Sequence, residues 1–219
     1  MPCSHKFFGH YAHMEAENGL LPNWDSKTLI IGTFNPTNEW VPNNAANYYY
    51  GRSRYFWSIL PTFACLDGID KRNSHQQIAF LENQQIALTD LLISINDADI
   101  NVPDHVRRIR SFKDNDLNIF QEFDWNTQQI VHFINNYQIE EIYLTRGGIY
   151  NDIFDTQLLA IEAQTGKLIK RLHSPTGQGL GTGTPRRDKL IHKWYQQGGN
   201  QFPFLCSDFN INSPEFAWE

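Results

Sequence analysis

The chain has 219 residues, of which 41% are hydrophobic. That is enough for one sizeable core, and no Ser/Gly-rich linker divides it, so a single domain over 1–219 is expected. A run of about 18 apolar residues is missing, so no membrane partner is expected, and Met1 to Met14 lacks the basic start and apolar stretch of a secretory signal. The net charge of −6 excludes a uniformly basic nucleic-acid binder but leaves local basic groups: Arg52 with Arg54, Arg107 with Arg108 and Arg110, and Arg186 with Arg187 and Lys189.

Residues 1–27 read as an N-terminal extension packed on the domain. Its His5, His10 and His13 read as part of a solvated segment rather than as a metal cluster. A strand at Thr28–Ile31 runs into Gly32-Thr33-Phe34-Asn35-Pro36, a loop opened by glycine and stiffened by proline. Aromatic and aliphatic side chains at helical spacing predict a helix over Tyr55–Phe63, and another follows at 75–84. Ile86–Ile93 reads as a buried strand with a polar tip at Thr89-Asp90. A helix at Trp125–Tyr137, a strand at Glu140–Thr145, a helix at Ile149–Gln164 and a strand at Lys167–Leu172 come next. Thr184-Pro185 signals a further helix start, and Phe202–Cys206 a last edge strand. Strands alternating with helices predict an α/β, three-layer αβα sandwich on a central, mainly parallel sheet of four to five strands. Ligands of such sheets bind beyond the C-terminal strand ends, where residues 32–38, 89–97 and 173–180 fall. Cys3, Cys65 and Cys206 are odd in number and far apart, which predicts reduced thiols in a cytoplasmic protein and no iron–sulfur cluster.

Three segments carry the chemistry. The first is Gly32-Thr33-Phe34-Asn35-Pro36, where glycine lets the backbone approach a ligand and Asn35 both donates to and accepts from a water. The second is Asn47 to Trp57, with Tyr48-Tyr49-Tyr50 ahead of Gly51-Arg52-Ser53-Arg54. Trp57 reads as core, and one of the tyrosines as a platform for a base. The third is His173-Ser174-Pro175-Thr176-Gly177-Gln178-Gly179-Leu180, a histidine opening a glycine-rich loop at the expected site.

In this order and spacing the segments resemble the uracil-DNA glycosylase superfamily, and most closely its hypoxanthine-type branch. The Tyr49-Tyr50 to Phe56-Trp57 segment and Ile86 to Leu92, with its Asp90, add to the likeness, which runs from about residue 28 to 195. The resemblance implies a uracil-DNA glycosylase-like fold and a monofunctional DNA glycosylase that hydrolyses the N-glycosidic bond of a flipped-out base. It implies that Asn35 positions the water and His173 donates to the leaving base. Gly32, Thr33, Phe34, Tyr49 and Asp90 would line the base pocket. Arg52, Arg54, Ser174, Thr176, Gly177, Arg186 and Arg187 would bind DNA, and Leu180 would fill the gap in the base stack. The expected partner is duplex or single-stranded DNA carrying a damaged or modified base. The protein would be a monomer, with no metal and no cofactor. Phe34 departs from the family pattern by separating Gly32 from Asn35-Pro36, and Gly51-Arg52-Ser53-Arg54 stands where the hypoxanthine-type branch tends to carry His-Pro-x-Asn. The departure at Gly51–Arg54, with the long glycine-rich late loop, keeps open the excision of a modified cytosine from phage DNA in defence, and Asn35 in place of an aspartate, which activates water better, keeps open a non-catalytic nucleic-acid-binding module.

Overall fold

The computed structural model describes residues 2–9, 19–150, 152–180 and 186–216. The larger of its two sheets is wholly parallel and has the order β3-β2-β6-β7, from β2 (Thr28–Gly32), β3 (Ile86–Asp90), β6 (Glu141–Leu144) and β7 (Ile169–Arg171). The smaller sheet is antiparallel, with β4 (Leu92–Ile95) between β1 (Cys3–Ser4) and β5 (Phe123–Trp125).

The central strands are apolar along their length because both faces of the parallel sheet are covered. Ile30, Leu88 and Tyr143 face one core, shared with α1 (Phe56–Phe63), α2 (Ser74–Asn83) and α6 (Arg186–Gln196). Leu29, Ile31, Ala87, Ile142 and Leu144 face the other, with α3 (Pro103–Ser111), α4 (Thr127–Asn136) and α5 (Ile153–Thr165). Helices therefore pack on both sides of the sheet, in line with the expected α/β layering. No helix among the described residues is long and apolar enough to cross a membrane.

Several expectations are corrected. Ile86–Ile93 is not one strand, because β3 ends at Asp90 and β4 joins the antiparallel sheet. The backbone N–H groups of Leu91 and Leu92 donate to the carbonyls of Gly32 and Thr33 at the crossing between sheets. The apolar run continues through the break, so periodicity carried no sign of a change of partner. Phe202–Cys206 forms no strand either. It follows a short 3-10 turn at Gly199–Gln201, and its rings stack, Phe202 on Phe204 with centroids 4.7 Å apart. Its apolar character serves side-chain packing rather than strand pairing. The helix expected from Ile149 begins at Ile153, where the Asp152 carboxylate accepts from the Phe154 and Asp155 amides as its N-cap. The start signal at Thr184-Pro185 lies outside the described residues, and α6 is described from Arg186.

The thiol expectation also changes. Cys65 and Cys206 form a disulfide, with Cα atoms 5.8 Å apart across 141 residues of sequence, while Cys3 is free and buried. The turn after α1 and the turn after Phe204 meet where the Cys206 amide donates to the Phe63 carbonyl at 2.8 Å. That closure depends on the folded chain and leaves no mark in cysteine spacing. Because the bridge closes a long loop, Cys65→Ser is expected to lower the unfolding free energy by about 2–5 kcal/mol. Urea titrations with and without reductant check this: the difference between wild type and variant should disappear once the wild type is reduced.

Candidate functional site

The order β3-β2-β6-β7 has a switch point. The chain leaving β2 goes to β3 on one side, and the chain leaving β6 goes to β7 on the other. Diverging loops open a crevice at such a point, outside the carboxyl ends of the strands. A cavity of about 520 Å³ lies there, lined by Gly32, Thr33, Phe34 and Asn35 after β2, Asp90 at the end of β3, and Thr145, Arg146 and Gly147 after β6. Tyr50, Arg52 and Ser53 come from the second segment, Lys113 and Asp114 from the turn after α3, and Ser174, Pro175, Thr176 and Gln178 from the third segment. All three chemistry-bearing segments thus reach one cavity.

Its floor is built around Asp90. Gly32 and Asp90 are register partners at the ends of the paired strands, and the carboxylate leans across the space a side chain at Gly32 would fill. A Cβ there would lie 2.1 Å from Asp90 Oδ1 and 3.1 Å from the Tyr50 hydroxyl. His5 Nε2 lies 2.6 Å from Asp90 Oδ2, and both side chains are buried. The Phe7 backbone N–H donates to His5 Nδ1 at 3.0 Å. Nδ1 therefore offers a lone pair, and the ring's proton sits on Nε2, donated to the carboxylate. The solvated-segment expectation for His5 is corrected: the residue is 2% exposed, delivered beside Asp90 by the pairing of β1 with β4. His10 and His13 lie outside the described residues. On the backbone side, Asn126 Nδ2 donates to the Asp90 carbonyl at 3.0 Å and to Thr89 Oγ1 at 2.9 Å.

Tyr50, not Tyr49, supplies the ring in the cavity. Tyr49 is buried, with its hydroxyl donating to the Leu20 carbonyl, and it does not line the cavity. Tyr50 adopts φ 56°, an unusual conformation for a non-glycine residue, and this aims it apart from its neighbours. Its ring stacks on Phe56 at 3.7 Å, and its hydroxyl lies 3.0 Å from Thr145 Oγ1. Burial pushes the phenol well above the usual tyrosine range, and the nearby Asp90 charge adds to this. Consecutive tyrosines are equivalent as composition, and only the backbone twist separates their fates.

Asn35 lines the cavity with its Oδ1 accepting from Asn44 Nδ2 at 2.8 Å; the same Nδ2 donates to the Pro36 carbonyl. The Asn35 oxygen keeps a second lone pair and its amide two donors. His173 lies elsewhere. Its Nε2 bonds to the Gln178 carbonyl at 2.8 Å within its own loop, its backbone is held by Gln197 and Trp194, and it does not line the cavity. The third segment is tied to the second through Ser53, whose hydroxyl donates to the Pro175 carbonyl and accepts from the Phe56 amide. Gly177, at φ 69°, packs against the Tyr55 ring, where a Cβ would come within 3.2 Å. Leu180 packs on the core rather than standing free. Arg187 donates to the Ser58 carbonyl and Thr62 Oγ1, clamping α6 to α1. Arg54 lies over the Tyr55 ring, and Arg186 is exposed on α6.

One feature that sequence reading passed over is the buried Arg146, at the end of β6. Its guanidinium pairs with Asp114 at 2.8 Å and with Asp152, and lies 3.6 Å from Asp155, which also pairs with Arg171. Burial pushes the Asp114 carboxyl above its ordinary value, opposed by Arg146. The partners come from two segments, Asp114 ahead of Arg146 and Asp152 with Asp155 just after it, so the sole signal in the sequence was an arginine directly after a strand.

No protein-family model, curated protein or solved structure matches the chain.

Two outcomes are expected. Gly32→Ala must displace the Asp90 carboxylate from its place over β2 and should cost about 1–3 kcal/mol, as overpacking does; a chemical-denaturation midpoint measures it. For Tyr50 the folded value lies above the unfolded one, so its stabilising contribution is complete below about pH 10 and is lost as the unfolded chain ionises with rising pH. Urea midpoints taken from pH 8 to 11 should therefore fall more steeply for the wild type than for Tyr50→Phe.

Proposed function

We propose that the cavity at the switch point is the active site of a DNA glycosylase of the uracil-DNA glycosylase type, which hydrolyses the bond between deoxyribose and an extruded base. The observation that carries this reading is the buried, hydrogen-bonded Asp90 carboxylate in a cavity that also presents the Asn35 amide and the Tyr50 and Phe34 rings. Breaking an N-glycosidic bond builds positive charge on the sugar and negative charge on the departing base, so preorganised groups of opposite character on the two sides lower the barrier. Asp90 supplies the negative side: it stabilises the sugar cation and takes the proton of the water that adds to C1′. His5, donating to one carboxylate oxygen, keeps the other directed at the reaction. Asn35 orients that water or donates to the base, and Phe34 or Tyr50 stacks on it. The C1′–N bond breaks with its electron pair leaving on the base.

The role expected for His173 is set aside in this reading, since its ring nitrogen is engaged by the Gln178 carbonyl and it does not line the cavity. Arg52 is one of the cations lining the cavity, its guanidinium carbon 3.2 Å from the Phe112 ring centroid.

The test is single-turnover excision on duplex and single-stranded oligonucleotides carrying uracil, hypoxanthine or modified cytosines, with abasic sites revealed by alkali. Asp90→Asn and Asn35→Ala should each lose on the order of 100-fold or more in rate while still binding DNA. His173→Ala should lose less than about 10-fold, because it removes no group from the cavity. An active enzyme indifferent to Asp90→Asn would overturn the assignment of the carboxylate. A wild type that releases no base from any substrate would leave the binding-module reading in its place.

A further inference from the structure

A second cavity, of about 540 Å³, adjoins the first. Arg52, Lys71, Arg72 and Arg110 line it, and no carboxylate does. In a chain with 24 acidic and 18 basic residues, four cations around one hollow without an acid run against composition. Arg52 lies over the Phe112 ring, and Arg110 donates only its Nε, to the Trp40 carbonyl at 2.8 Å. None of the four forms an ion pair among the described residues, whereas Arg107 and Arg108 on the same helix as Arg110 are both paired with Asp104. The wall carrying Lys71 and Arg72 is set by the Arg72 amide, which donates to Asp70 Oδ1, and by Asn47, which donates to the Arg72 carbonyl.

The two cavities share structure. Arg52 and Phe112 line both, and Asn44, in the second, holds Asn35, in the first, through a 2.8 Å hydrogen bond. An anion in the second cavity would thus sit beside a nucleotide whose base entered the first.

We propose that the second cavity is a phosphate site that grips the DNA backbone next to the extruded nucleotide, with Lys71, Arg72 and Arg110 as its ligands alongside Arg52. This rests on the glycosylase reading for the identity of the strand, but the phosphate site itself does not depend on catalysis.

The experiment compares the full-length wild type, the double variant Lys71→Glu/Arg72→Glu, and a charge-matched control, Lys27→Glu/Lys193→Glu, remote from the cavity. Circular dichroism verifies folding. Fluorescence anisotropy with a labelled single-stranded oligonucleotide, from 50 to 200 mM salt, should show the cavity variant at least about 10-fold weaker. The slope of log affinity against log salt should be shallower by roughly 1 to 1.5, as expected for two lost contacts to a single strand. The control should bind nearly as the wild type does. Inorganic phosphate should raise the melting temperature of the wild type and not of the cavity variant. Equal DNA affinity in cavity variant and control overturns the proposal, and so does a phosphate effect without any difference in DNA affinity, which would mark a free-phosphate site instead. Excision assays on the same proteins keep the two readings apart. DNA binding lost in the cavity variant, with a wild type that excises nothing, supports the phosphate site and removes the glycosylase. Excision retained with DNA affinity unchanged does the reverse.

Discussion

The hydrogen bond from His5 to Asp90 ties the segment after the edge strand of one sheet to the end of a strand of the other. Asp90 ends a strand of the parallel sheet, and His5 follows the edge strand of the antiparallel one. Between them the chain passes from β3 to β4 in a single residue, Leu91, so the carboxylate stands at the corner where the two sheets meet. A buried carboxylate without a donor would carry a large desolvation penalty. The imidazole N–H removes much of that penalty while leaving the second oxygen for the cavity. The absence of a side chain at Gly32 is the steric half of the same constraint, because the carboxylate occupies the space a Cβ would take.

Around this corner the site is assembled from loops on rigid strands. Thr145 continues β6 and meets the Tyr50 hydroxyl, and Ser53 ties the tyrosine segment to the loop after β7. Each contact is short-ranged, but together they close one cavity from six separate stretches of chain. The Arg146 cluster anchors the loop after β6 from below, with charges that are buried and mutually paired. An unpaired guanidinium at that depth would be strongly destabilising, so Asp114, Asp152 and Asp155 are best understood as its structural complement. Arg52, Lys71, Arg72 and Arg110, which form no ion pair among the described residues, line the adjoining hollow. The division between paired and unpaired charge separates the buried Arg146 cluster from the proposed phosphate site more clearly than composition does, given the net negative charge of the chain.

The sequence by itself determined the alternation of strands and helices, and with it the parallel sheet and the end of the sheet where a ligand would sit. Local rules suffice for this. Apolar runs that are buried on both faces read as parallel strands, and Gly32 and Asn35-Pro36 mark the exit of the first of them. Asn35, Asp90 and the third segment were recognisable as polar groups at strand ends, and the structure brings all of these stretches to one cavity together with the second segment. Tertiary structure alone decided which member of each set faces the cavity. Tyr50 rather than Tyr49 enters because of one left-handed backbone conformation. His173 turns into its own loop, while His5, in a segment with no pattern to mark it, reaches the buried carboxylate. The Cys65–Cys206 bridge, the Arg146 cluster and the cavity of Arg52, Lys71, Arg72 and Arg110 join residues far apart in the chain. Periodicity and short motifs report on neighbours within a few residues, whereas these contacts exist only once the sheet has fixed where the loops meet.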